Sequence, residues 1–97
     1  VITVDHRLFL YVLEAIARPS RAALSAHTAY LRALAEAVVA AAVFRDDAGA
    51  IVCVRAPSDR IADEIARTDP LVAFGFTLYR VHEIETIEQL PAEAVIH

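Results

Sequence analysis

Three segments, "LFLYVL" (Leu8–Leu13), "VVAAAVF" (Val38–Phe44) and "IVCV" (Ile51–Val54), are apolar at every position. A strand with one wet face alternates apolar and polar residues, whereas a strand that is apolar throughout needs both faces covered. None of the three approaches the ~18 consecutive apolar residues that span a bilayer. The chain has 97 residues and is 58% hydrophobic, against roughly 45–50% for an ordinary soluble domain. One domain over 1–97 cannot bury that much apolar surface by itself. Self-association is therefore expected: a homodimer, with a higher oligomer as a further option.

The punctuation around these segments orders the chain. A first strand covers Arg7–Ile16, and Pro19 and Ser20 close a loop. A helix then runs to about Ala37, with Ser20 or Ser25 as its N-cap. A second strand covers Val38–Arg45, although alanines are weak strand formers. Asp46–Gly49 makes a hairpin turn in which Gly49 suits a positive φ. The third strand is Ala50–Ala56. A second helix lies within Pro57–Thr68, capped by Ser58, with Ile61 and Ile65 on its apolar edge. Asp69 and Pro70 are a good N-cap and first helical residue, so a short helical turn starts there and ends at Gly75. Phe76–Thr86 is the fourth strand. The core is thus about 7–87, and 88–97 forms a C-terminal tail with no assigned element. The order β-α-β-β-α-β predicts an α+β, ferredoxin-like domain: a four-stranded antiparallel sheet with two helices on one face. The other face has no helix to cover it. A second copy of the same face would, giving a dimeric α+β barrel.

Charge and residue usage exclude several classes. The net charge is −4, and the nine basic residues are all arginines dispersed along the chain. That is no footprint for a phosphate backbone, so no nucleic-acid partner is expected. Without lysine there is no Schiff-base chemistry. Cys53 stands alone inside an apolar strand and reads as a small buried residue in a reducing compartment. No basic segment followed by a short apolar run heads the chain, so a cytoplasmic location and no membrane partner are expected. The histidines and the cysteine show no metal-ligand spacing, and two glycines cannot build a phosphate loop. No metal and no cofactor are expected.

Two residues stand out. On the helical period Leu24, His27, Leu31, Leu34 and Val38 share one face of the first helix. His27 therefore takes a place where leucine would serve, partly exposed at a pocket. It could be a core histidine bonded to a carbonyl, or an acid/base. Asp69 could be a cap and nothing more, or it could also orient an imidazole; both roles are compatible if its two oxygens share the donors. Tyr30, one turn after His27, is a weaker third candidate. Tyr11 and Tyr79 read as packing residues.

"AHTAYLRAL" (Ala26–Leu34), followed some distance on by "TDPLVAFG" (Thr68–Gly75), resembles the YciI-like (YCII-related) family over about Arg7–Ile87. The resemblance implies a dimeric α+β barrel with a His/Asp-centred site, carried here by His27 and Asp69. Some relatives eliminate chloride from chlorinated hydroxyquinols, and most have no assigned reaction. The chain departs from the family where Val38 replaces a glycine and Phe44-Arg45 replaces a Gly-Pro pair; Phe44 would narrow the pocket. Three readings follow. One is a cofactor-independent enzyme doing elimination or isomerisation on a small metabolite. The second is a non-catalytic module that binds a small molecule. The third is a structural dimeriser with a filled pocket.

Overall fold

The structure, a computed structural model, describes residues 6–85; the tail expected at 88–97 lies outside the described residues. Its elements are β1 (Arg7–Ala15), α1 (Arg21–Leu34), a single 3-10 turn (Ala35–Ala37), β2 (Val38–Val43), β3 (Gly49–Ala56), α2 (Asp59–Thr68), α3 (Pro70–Ala73) and β4 (Thr77–Ile84). The four strands form one antiparallel sheet in the order β2-β3-β1-β4. This is the expected ferredoxin-like α+β arrangement.

Side-chain hydroxyls set the helix starts. Ser20, not Ser25, caps α1 by accepting from the Ala23 N–H at 3.1 Å. Ser58 caps α2 through the Ile61 N–H at 3.2 Å. Both helices meet the sheet through small residues: Ala23 in α1, and Ala62 and Ala66 in α2, are buried. Alanine lets a helix axis lie close to the strands. The larger side chains Leu31, Ile61 and Ile65 then pack around the contact.

On the helix side of the sheet, Phe9, Tyr11 and Leu13 of β1 and Val52 and Val54 of β3 are fully buried. Tyr11 pairs with Val52 on one side and Val81 on the other, at the middle of the sheet. The opposite face carries Leu8, Leu10, Val12, Ile51 and Cys53, all half-buried. No helix among the described residues covers them.

The buried stripe of α1 differs from the one expected. Leu24 is 44% exposed, and Ala23 takes its place against the core. The helix is rotated so that its small residue, rather than its leucine, joins the buried core. His27 lies on both stripes and stays buried.

The β2–β3 hairpin closes through Asp46, whose Oδ1 accepts from the Ala48 N–H at 3.1 Å, and through Gly49 at φ +148°. A Cβ on Gly49 would run into the carbonyl of Leu13 on β1. Gly49→Ala is expected to lower stability by about 2–4 kcal/mol, from backbone strain plus overpacking. A denaturant midpoint equal to that of the parent chain would show that the hairpin does not approach β1 so closely.

Candidate functional site

Asp69 stands at the corner between α2 and α3. Its N–H bonds to the Ala66 carbonyl and ends α2, while its own carbonyl accepts from Val72 and Ala73 and starts α3. The side chain caps the new helix: Oδ1 accepts from the Leu71 N–H at 3.0 Å. Pro70 follows at the first helical position, where its missing N–H costs nothing. The carboxylate has 0% exposure, so its remaining lone pairs must also find donors.

They find two. Nδ1 of His27 lies 2.8 Å from both Oδ1 and Oδ2, and the Tyr11 hydroxyl donates to Oδ2 at 2.8 Å. A carboxylate can only accept here, so Nδ1 carries hydrogen and the lone pair of the neutral ring falls on Nε2. His27 is 6% exposed, a core position rather than the partly exposed one expected. Nε2 makes no hydrogen bond among the described residues. The ring also lines an open space.

That space is a groove of about 570 Å³ between α1 and β2, lined by His27, Thr28, Leu31, Arg32, Ala35, Val38, Ala41, Ala42 and Val43. Phe44 was expected to narrow it but is not on its wall; it stands 38% exposed beyond the end of β2. The filled-pocket reading fails on this point. Val38 does line the groove. Among the described residues no group of three or more His, Cys, Asp or Glu side chains could hold a metal ion.

The expected pair, His27 and Asp69, is brought into direct contact. Tyr30 is placed differently: its hydroxyl donates to the Ile65 carbonyl at 2.7 Å, tying α1 to α2, and it does not line the groove. Tyr11 is the residue that sequence reasoning passed over. It shares strand parity with Phe9 and Leu13, and its hydroxyl is the third donor to Asp69. Burial, with the Asp69 charge second, pushes its pKa well above the tyrosine range, so it remains a donor.

These features define a ferredoxin-like α+β protein with a buried imidazole–carboxylate pair opening onto a groove. Among solved structures, the chain resembles 5-chloro-2-hydroxyhydroquinone dehydrochlorinase (TftG) from Burkholderia phenoliruptrix AC1100, in complex with 2,5-dihydroxybenzoquinone. The TM-score is 0.67 and the identity 22%, over 80% of this chain and 93% of that one. The likeness is one of fold. No family profile matches the chain, and no curated protein does. No helix among the described residues is long and apolar enough to cross a membrane.

All three tyrosines have raised pKa values: Tyr11 and Tyr30 chiefly by burial, Tyr79 chiefly by its bond to Asp63. A group that holds its proton more tightly when folded stabilises the fold fully below its unfolded pKa, here about 10. That contribution is lost as pH rises towards the folded value. Tyrosinate absorbance is therefore expected to lag behind that of the unfolded chain, with the denaturation midpoint falling above pH ~10. A Tyr30→Phe, Tyr79→Phe chain isolates Tyr11; titration there at the ordinary value would contradict its burial against Asp69.

Proposed function

We propose that this is a YciI-like protein in which His27 and Asp69 carry out cofactor-independent acid/base chemistry, an elimination or isomerisation, on a small metabolite in the groove. The observation that carries this reading is the Nδ1-to-carboxylate contact at 2.8 Å in a histidine that lines the groove. Asp69 fixes the tautomer and the ring orientation, and Nε2 takes or returns the proton. The likeness to a dehydrochlorinase of the same fold supports a small-metabolite enzyme. Tyr11 acts by holding Asp69. Tyr30 is the weakest of the candidates, since its hydroxyl is committed to α2.

A second reading has its own support. Val38 replaces the family glycine on the groove wall, and a groove altered there suits a module that binds a small molecule without turnover. The two readings separate by proton exchange. 2,5-Dihydroxybenzoquinone and a panel of small enols and phenols are incubated with the chain in deuterated water, and deuterium uptake at carbon is followed by NMR. The enzyme reading expects His27→Gln to cut uptake by about 10²–10⁴-fold, the usual worth of a positioned acid/base. Asp69→Asn caps a helix nearly as well, but its amide can donate to Nδ1 and move the ring hydrogen to Nε2. It is expected to lose uptake with little loss of stability. Binding without exchange across the panel would favour the module.

The uncovered sheet face leads us to propose a homodimer, face to face. Each chain is expected to bury at least ~800 Å². Cys53 sits on the interior strand β3, half-buried on that face, so its labelling reports the cover directly. Thiol reagents are expected to react slowly at micromolar chain concentration and faster on dilution into monomer. Light scattering of a well-folded monomer, with rapid labelling at every concentration, would overturn the dimer. A free thiol of this kind fits a reducing, cytoplasmic setting.

A further inference from the structure

Among the described residues, one arginine lines the groove beside His27 and no acidic residue does. The chain as a whole is acidic, at net −4, so its average field turns anions away. An anion would be held only where a cation projects locally. Arg32 projects there, and it also lines a second groove of about 340 Å³ on the other flank of α1, which shares Thr28 with the first. It stands where the two grooves meet.

Arg32 is also uncommitted. Arg7 is paired with Glu83 and Asp59, Arg67 with Asp63, and Arg55 donates to the Glu36 carbonyl. Arg32 has no ion pair or side-chain hydrogen bond among the described residues; the same holds for Arg18, Arg21, Arg45, Arg60 and Arg80, but Arg32 alone lines the groove beside His27. An arginine in the last turn of α1 offsets the helix dipole. That role needs only its place in the turn; it does not require a guanidinium on a wall whose other described residues are His27, Thr28, Leu31, alanines and valines.

We propose that the groove takes a flat, largely apolar molecule carrying a carboxylate-class oxyanion, and that Arg32 selects and positions it against His27. This rests on the groove being the functional site. Arg32 stands five positions after His27, about 7.5 Å along the helix axis and roughly 140° around it, and both line the one groove, whose apolar walls suit a monocyclic aromatic acid. A planar guanidinium matches a carboxylate through two parallel hydrogen bonds. A phosphate would ask for more positive charge than one arginine supplies, and no second one lines the groove among the described residues.

The test uses benzoate and benzamide, which share shape and differ in charge, titrated into the full chain and followed by amide NMR shifts. Benzoate is expected to shift α1 and β2 residues of the groove and to bind at least about tenfold more tightly than benzamide, the worth of one charge-assisted pair. Arg32→Gln is expected to abolish that preference, and Arg21→Gln, in the second groove alone, to preserve it. Equal affinities, no binding of either probe at millimolar concentration, shifts outside the groove, or a preference that survives Arg32→Gln would each overturn the proposal. His27→Gln run alongside separates the two ideas. An Arg32-dependent preference with proton exchange unaffected by His27→Gln sustains the anion site and defeats the acid/base reading. The converse pattern does the reverse.

Discussion

A carboxylate taken wholly out of water costs several kcal/mol unless its lone pairs are met. Asp69 meets that cost with donors from three places: the Tyr11 hydroxyl on β1, the His27 ring on α1 and the Leu71 N–H at the start of α3. Its backbone meanwhile closes α2 and opens α3. One residue thus joins the central strand, both long helices and the corner between them. The orientation of His27 is a consequence of that junction, since the ring cannot turn without leaving a buried charge short of a donor. The groove inherits its geometry from the same place.

The volume of the groove has a separate origin in small side chains. β2 is an edge strand, and its middle is Ala40–Ala42, a poor sequence for a strand on propensity alone. Ala41 and Ala42 line the groove where valine or isoleucine would fill it. Val38 and Val43 supply the apolar ends. α1 packs mainly on α3 and meets the sheet along β2. Small, weak strand formers in β2 opposite α1 therefore leave an open apolar slot with His27 on its wall.

The element order, the caps and the Asp69-Pro70 corner were legible because each rests on local chemistry: a hydroxyl or carboxylate before a helix, a proline at its first turn, a glycine in the hairpin. The two-sided strands were legible from composition. Their phase was not, because a strand apolar at every position has no alternation to say which residues face the helices. Tyr11 was lost for that reason. The one marker was Glu14, exposed at the end of β1, whose parity puts Leu8, Leu10 and Val12 outside and Phe9, Tyr11 and Leu13 inside. The face of α1 failed differently. Leu24 promised burial by hydrophobicity, but the contact selects for close approach, and Ala23 gives it. Phe44 lies just past the last residue of β2, its N–H still bonded to the Gly49 carbonyl of β3, and it is not on the groove wall.

A histidine on a core face, where leucine would pack, needs a reason that stability does not supply. A buried polar pair can often be exchanged for apolar residues of similar volume with little loss or even a gain, whereas removing one partner leaves the other stranded. His27 and Asp69 therefore explain each other's persistence but not each other's presence. The cap at Leu71 does not require a carboxylate; asparagine or serine would serve there. Nor does β1 need a hydroxyl at Tyr11, except to satisfy Asp69. Three polar groups in the core thus converge on one outcome that packing does not ask for, an imidazole held by Nδ1 on the wall of a groove large enough for a small molecule. Local consistency breaks at that point in the fold, and such breaks are expected at functional or strained sites.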